Sequence, residues 1–398
     1  MIKKLLGQIV LFLIIIFSFQ STLPANSTST ITITGAGSTF AQVILQDWAN
    51  QYQSISNGTI QLSYGGGGSG QGIKAITNQS VDFGASDAPL TLAQRQAINT
   101  NANSNGHFLG KINTIPESAG GIVLAYNLPK SVIQGPLNLT GVDIAKIFQG
   151  SITFWNDSLL KKDNPGLTSN AGIMVFHRND ASGTTFAFSD YLARSAPNTW
   201  NLGTGTTLNW PSRTIGANGN EGLSTSVTSM VNSIGYVELA YAIQKNIPNA
   251  FIENRDGNWV NASLPAITNA VNFATAGLPD STADWSSVSL NDQSGASTYP
   301  ICTLTYLFVY GNLTEYGSKG VALINFLKYI MTPNAQALAN GLGYVPLPQN
   351  LLSKNLDVIN AIEVSSLTTP SSNSLPGFGF LSPLIILAFI PFLGKKHS

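Results

Sequence analysis

Apolar and polar positions along the middle of the chain switch repeatedly between two periods. Short runs rich in β-branched and aromatic residues predict strands at 29–33, 60–64, 81–85, 122–127, 173–177, 234–237 and 302–310. Several are followed by apolar residues three and four apart, which predict helices at 41–52, 72–77, 142–148, 185–192, 222–232 and 319–331. Strands alternating with helices argue for an α/β fold whose sheets are covered by helices. No repeat of solenoid length interrupts the alternation.

The two ends depart from this pattern. Met1-Ile-Lys-Lys4 is basic, a largely apolar run reaches Phe19, and Gln20-Ser-Thr22 is polar. Those are the parts of a secretory signal, so 1–25 is expected to be a signal peptide or N-terminal anchor. Residues 365–375 are Ser/Thr/Pro-rich, a composition that buries too little apolar surface to fold, and form an expected linker. The apolar segment 376–398 closes on Lys395-Lys396 and is expected to be a C-terminal transmembrane or sorting tail. Pro383 and Pro391 weaken it as a regular helix. Its Pro376-Gly-Phe378 start, apolar span and basic end resemble the sorting tails of archaeal surface proteins, which implies replacement by a lipid anchor. Either way the body is expected to face outward. Seven Asn-x-Ser/Thr triplets, at Asn26, Asn57, Asn78, Asn138, Asn156, Asn261 and Asn312, fit a glycoprotein.

Composition narrows the function. A length of 398 residues suggests two domains plus an addition. Only 10% of residues are charged, and 19 basic residues balance 19 acidic ones. A nucleic-acid partner would need a basic excess that this chain lacks. One cysteine excludes a disulfide framework, and three histidines beside it argue against a zinc site. Cys302, with no base or basic group beside it in sequence, reads as a small buried hydrophobe.

Three turns share one design: Gly35-Ala-Gly-Ser-Thr-Phe40, Gly65-Gly-Gly-Gly-Ser-Gly-Gln-Gly72 and Arg178-Asn-Asp-Ala-Ser-Gly-Thr-Thr185. Each lies between an extended run and a helix start, where unpaired N–H groups carry partial positive charge and glycine lets an anion approach. Ser38, Thr39, Ser69, Ser182 and Thr184 add hydroxyl donors. One such turn is an ordinary helix cap; three with a single arginine point to convergent anion binding. Gly65, Gly67 and Gly70 also satisfy a dinucleotide fingerprint, with Asp82 and Asp87 following, but in so glycine-rich a run the match is nearly automatic. A serine hydrolase is disfavoured because no G-x-S-x-G elbow exists, and His107 and His177 have no obvious acid partner. Asp87, directly after the 81–85 run, sits where α/β folds bind ligands. Its carboxylate would repel a fully ionised oxyanion and accept a hydrogen bond from one that keeps a proton, the difference between phosphate and sulfate.

At this point the residues resemble a family. Gly35-Ala-Gly-Ser-Thr-Phe40, Val81-Asp-Phe-Gly-Ala-Ser-Asp-Ala-Pro89, Ser182-Gly-Thr184 and Ile234-Gly-Tyr-Val-Glu238 are similar to the PstS family, the phosphate-binding proteins of the high-affinity phosphate ABC transporter. Gly120-Gly-Ile-Val-Leu-Ala-Tyr-Asn127, Ile147-Phe-Gln-Gly150 with Trp155, Asn164-Pro-Gly166 and Gly216-Ala-Asn-Gly-Asn-Glu-Gly222 extend the resemblance from about Ile31 to Pro348.

The resemblance implies a two-lobed class II periplasmic-binding-protein fold with two hinge crossings, near 118–121 and 299–300. Lobe one would be 31–117 plus 299–364, and lobe two 118–298. It implies that Thr39 and Phe40 give backbone N–H groups to phosphate, joined by Ser69, Ser182, Gly183 and Thr184. Asp87 would accept the phosphate proton. Arg178 would be the sole cationic contact, with Asp180 holding it and Ser38 behind the first turn. The extra glycines around Ser69 and the His177 that precedes Arg178 depart from the family pattern, and the tail has no counterpart in soluble members. The expected role is membrane-tethered, extracytoplasmic phosphate capture and delivery to ABC permease subunits. The protein would be a monomer without enzymatic activity, cofactor or metal. A surface phosphatase on the same fold and a non-transport scaffold are the alternatives.

Overall fold

The computed structural model describes residues 30–365 apart from 105 and 276. The expected signal, the tail, nearly all of the linker and Asn26 lie outside the described residues. In chain order the elements are β1 (Ile31–Gly37), α1 (Gln42–Ile55), β2 (Ile60–Gly65), α2 (Ser69–Thr77), β3 (Phe83–Ser86), α3 (Leu92–Ala102), β4 (Ile112–Asn127), β5 (Asn138–Leu139), α4 (Gly141–Phe148), α5 (Ser158–Asp163), β6 (Met174–Arg178), α6 (Gly183–Ser195), β7 (Ile215–Ala217) and α7 (Gly219–Ser229). They continue with β8 (Ser233–Glu238), α8 (Leu239–Gln244), β9 (Phe251–Glu253), β10 (Trp259–Val260), α9 (Leu264–Ala274), β11 (Cys302–Tyr310), α10 (Ser318–Ile330), α11 (Pro333–Leu342) and α12 (Gln349–Ala361).

Eight strands form one sheet in the order β2-β1-β3-β11-β4-β8-β6-β7. β1 is parallel to β2 and β3 at one end, and β6 is parallel to β7 and β8 at the other. Between them β11 and β4 run antiparallel to each other and to their outer neighbours. The fold is α/β and two-lobed.

β4 joins the two strand groups. It pairs with β11 from Ile112 to Gly121 and with β8 from Ile122 to Asn127. The sequence pattern predicts only its second part, because Pro116 and Glu117 break the run of strand formers. The register shifts there: Tyr306 faces Pro116 while Thr305 faces Ser118, so Glu117 is the unpaired residue of a β-bulge. It is fully buried, and neither carboxylate oxygen has a hydrogen-bond partner.

Helix starts differ from expectation in two places that matter. α2 begins at Ser69, inside the glycine run and not after it, and α6 begins at Gly183 with Ser182 as its cap. Glycine reads as a helix breaker in a periodic pattern, but at a first turn it costs little. Helices α3, α5, α8, α9, α11 and α12 are not signalled by apolar spacing alone. α3 is instead begun by a capping box, in which Thr91 accepts from Gln94 N–H and the Gln94 side chain accepts from Thr91 N–H. The core runs continuously beneath these helices. Trp48 of α1 is fully buried and its indole donates to Ala335 O at 2.8 Å, tying α1 to α11.

Candidate anion site

The C-terminal ends of the parallel strands converge, as they do at the ligand crevice of open α/β sheets. From β1 comes the turn Ser38-Thr39-Phe40, from β2 the glycine run ending in Ser69, and from β3 Asp87. From β6 come Arg178, Asp180 and the Ser182 cap of α6. Ser38, Ser69, Ser182 and Thr184 are fully buried; Thr39, Asp87 and Arg178 are nearly so.

The two sides meet directly. Ser69 Oγ accepts from Gly183 N at 3.1 Å, and Gly70 N donates to Ala181 O at 2.9 Å. Glycine is required for this approach. A Cβ at Gly70 would lie 2.4 Å from that of Ala181, and one at Gly183 would lie 2.4 Å from Ser69 Oγ and 2.6 Å from Asp87 Cβ. Of the three spaced glycines only Gly70 meets the facing loop; a Cβ at Gly65 would have open space, and Gly67 meets only Gln71. Asp82 is occupied elsewhere: it accepts from Thr34 N at 2.7 Å and pairs with Lys319 at 2.7 Å.

Asp87 is held by neutral donors. Ser38 Oγ bonds one carboxylate oxygen, Ser69 Oγ lies 3.3 Å from the other, and Asp87 N donates to Ser69 Oγ at 3.0 Å. Burial pushes its pKa up to about 7, against the downward pull of Ser38, Arg178 and Ser69. Arg178 is forked onto Asp180 through Nε (2.7 Å) and Nη2, while Nη1 reaches Thr184 Oγ1 at 3.3 Å. Burial acts to raise Asp180 as well, but the guanidinium and Gly219 N–H together hold it below the usual carboxylate range. The one buried cation of the site is thus matched by its own acid. What remains for an incoming anion is a set of neutral donors. Thr39 N–H and Phe40 N–H are among these, since neither donates to an acceptor among the described residues.

Residues 23–334 match the family described as a PBP superfamily domain. The chain is 37% identical over 344 residues to the phosphate-binding protein PstS of Xylella fastidiosa, covering 84% of this chain and 87% of that protein. It is 32% identical over 356 residues to PstS of Methanocaldococcus jannaschii, covering 85% and 89% respectively. The chain belongs to the PstS family. Solved structures agree on the fold. The periplasmic phosphate-binding protein PfluDING, solved with phosphate bound, aligns with a TM-score of 0.66 at 19% identity, over 83% of this chain and 99% of that one. The phosphate binding protein of Stenotrophomonas maltophilia aligns with a TM-score of 0.63 at 20% identity, over 82% and 93%.

In this PstS-family chain all ten residues singled out from the sequence lie in the one site: Ser38, Thr39, Phe40, Ser69, Asp87, Arg178, Asp180, Ser182, Gly183 and Thr184. Sequence reasoning gave Asn220 no role. Its N–H and Nδ2 reach Thr39 Oγ1 at 3.2 and 3.3 Å, and Nδ2 also lies 3.3 Å from Thr184 Oγ1, so it bridges two of the turns. The signal was present: Gly216-Ala-Asn-Gly-Asn220 is a fourth glycine-rich turn between a strand and a helix. Tyr236 was missed too. Its hydroxyl accepts from Arg178 N at 3.0 Å and lies 2.7 Å from Thr185 Oγ1, fixing the start of α6 from below.

His107 does have an acid partner. Its Nδ1 lies 2.7 Å from Glu315 Oε2, a pair 208 positions apart in sequence, exposed and separate from the site. His177 stacks on Trp210 with centroids 5.0 Å apart, and burial lowers its pKa to about 4, so it is neutral. Cys302 is buried and its thiol donates to Tyr299 O. Among the described residues no helix is long and apolar enough to cross a membrane.

Proposed function

We propose that this chain captures inorganic phosphate outside the cytoplasm and hands it to the permease subunits of an ABC transporter, acting as a binding protein and not as an enzyme. Family membership supports this reading: the PstS relatives from Xylella fastidiosa and Methanocaldococcus jannaschii are named as phosphate-binding proteins. The observation that carries it to this site is the contrast between Asp87 and the donors around it. Asp87 is buried with only the Ser38 and Ser69 hydroxyls on its oxygens, and in its ionised form such a carboxylate accepts a hydrogen bond from a proton-bearing oxyanion and repels one that has none.

In this reading Thr39 and Phe40 donate backbone N–H groups, Ser69, Ser182, Gly183 and Thr184 complete the cradle, and Arg178 supplies the positive charge through Nη1. Ser38 and Asp180 orient the groups that touch the ligand. The lobes are 31–117 plus 299–364 and 118–298, a division supported by the change of β4 from one partner strand to the other between Gly121 and Ile122. Phosphate touching both lobes stabilises the closed form, which is the form a permease would accept. The tail, or a lipid replacing it, tethers the protein to the membrane, and the chain acts as a monomer.

Titration calorimetry of the full-length chain with phosphate and with sulfate, after removal of carried-over ligand, tests the reading. One-to-one phosphate binding with no sulfate binding is expected. The Asp87→Asn variant should accept sulfate while its phosphate affinity falls; unchanged selectivity would remove Asp87 from its assigned role. Failure of the wild-type chain to bind phosphate would end the functional reading.

A further inference from the structure

Three consecutive carbonyl groups in the first turn of the site each accept a hydrogen bond from a different tyrosine. Tyr64 Oη donates to Ser38 O at 2.8 Å, Tyr241 Oη to Thr39 O at 2.8 Å, and Tyr344 Oη to Phe40 O at 2.5 Å. The tyrosines come from β2, from α8 and from the residue following the left-handed Gly343 cap of α11. They have no sequence relation to one another or to the turn.

The consequence follows from peptide geometry. In a trans peptide the C=O of one residue and the N–H of the next point in opposite directions. Holding Ser38 O therefore aims Thr39 N–H, and holding Thr39 O aims Phe40 N–H. The third carbonyl shares its peptide with Ala41 N–H, which is anchored on Ser38 Oγ at 3.0 Å. A donor on the carbonyl also polarises the peptide and strengthens its N–H as a donor. The phenols keep their protons for this task. Burial raises all three above the ordinary tyrosine range, with nearby carboxyls adding to the effect. Tyr344 Oη also lies 3.4 Å from Glu238 Oε2. Burial pushes that carboxyl well above its usual pKa.

We propose that Tyr64, Tyr241 and Tyr344 are positioning residues of the anion site, clasping the carbonyls of Ser38, Thr39 and Phe40 so that the N–H groups of Thr39 and Phe40 face the ligand together. The inference rests on the phosphate-binding reading and its lobe bounds. On those bounds Tyr64 and Tyr344 belong to the same lobe as the turn and preorganise it in the open form. Tyr241 reaches across from the other lobe. It completes the clasp only on closure, alongside Asn220, which takes hold of the same Thr39 by its side chain.

The test removes one hydroxyl at a time, as Tyr64→Phe, Tyr241→Phe and Tyr344→Phe in the full-length chain. Tyr310→Phe is the control, since it loses an equivalent buried bond, to Ile76 O, outside the turn. Phosphate titration, phosphate dissociation kinetics and ligand-free amide hydrogen exchange over residues 38–41 are read on each. Each of the three clasp variants should raise Kd by about three- to tenfold, the size of one hydrogen bond. Tyr64→Phe and Tyr344→Phe should also speed exchange in the ligand-free turn. Tyr241→Phe should leave that exchange unchanged and speed dissociation, and the control should leave Kd at the wild-type value. If the three variants match the control in both Kd and exchange, the clasp is wrong. If the wild-type chain binds no phosphate, the functional reading fails instead, and exchange in Tyr64→Phe and Tyr344→Phe still decides the clasp. Faster exchange would uphold it as a device that orders the turn, and unchanged exchange would overturn it.

Discussion

Asp87 at the end of β3 and Asp180 beyond β6 lie on facing sides of one site, both withdrawn from water, yet their carboxyls are pulled in opposite directions. Burial dominates at Asp87, which has only hydroxyl partners and a pKa near 7. At Asp180 burial is outweighed by the Arg178 fork, and the group stays ionised. The same residue type thus does two jobs. Asp180 balances and orients the cation, which in the proposed function leaves Asp87 to sense whether the anion carries a proton. A site with little net charge then has to select by hydrogen-bond count and geometry, since electrostatic attraction alone would admit any anion.

Breaking the charged side should have the largest effect. Arg178→Ala leaves the partly buried Asp180 without its partner, and unpairing a buried ion pair costs up to about 3–5 kcal/mol, less where one partner keeps some exposure. Phosphate affinity should fall by more than a hundredfold (about 2.7 kcal/mol), and the ligand-free melting temperature should drop. Adding Asp180→Asn should restore the melting temperature and not the affinity. Recovery of affinity in the double variant would show that the arginine serves only stability.

Gly183→Ala attacks the seam between the two sides. The new methyl overlaps Asp87 Cβ at 2.6 Å, a group that cannot swing away. Overpacking of this kind costs about 1–3 kcal/mol, so phosphate should bind about ten- to a hundredfold more weakly. The ligand-free melting temperature should hardly change if opening relieves the overlap. Equal losses in stability with and without phosphate would place the strain in the open form too.

A third carboxyl sharpens the contrast from behind. Glu117, on its bulge in β4, is fully buried, and burial raises its pKa to about 8, against the downward pull of the nearby Thr305 hydroxyl and with Asp87 adding to the rise. Its folded pKa exceeds its unfolded one. The folded state therefore holds a proton that the unfolded state has released between about pH 4.5 and 8, and stability contributed by this group falls as pH rises through that window. Glu117→Gln removes the dependence. Its unfolding free energy relative to wild type should climb from pH 5 to pH 8, with a limiting slope of about 1.4 kcal/mol per pH unit, as read by denaturant titration at each pH. A constant difference across that range would mean Glu117 has a partner or water access in solution.

Much of the site was legible in the sequence because its parts are local. Glycine, serine and threonine between a strand and a helix start make a donor-rich turn whatever the rest of the chain does, and Ser38-Thr-Phe40, Ser69 and Ser182-Gly-Thr184 all announce themselves in this way. Asp87 was legible because it follows a short β-run directly. The α/β class followed from the alternation of periods, and its two-lobed form from the resemblance to the PstS family. The first half of β4 did not, since Pro116 and Glu117 contradict strand propensity and are tolerated only because a bulge absorbs them.

What the sequence by itself determined is the alternation of strand and helix and the chemistry of each turn, since hydrogen-bonding groups and backbone preferences act over a few residues. What only the tertiary structure decided is how those turns are aimed. Ser38, Thr39 and Phe40 take their bonds from tyrosines 26, 202 and 304 positions away. The raised pKa of Asp87 comes from burial among segments distant in sequence, with Ser38, Ser69, Gly183 and Thr303 packed around it. Such contacts have no period and no spacing, because they arise where distant segments pack. The fold brings them together only once its sheet has been assembled.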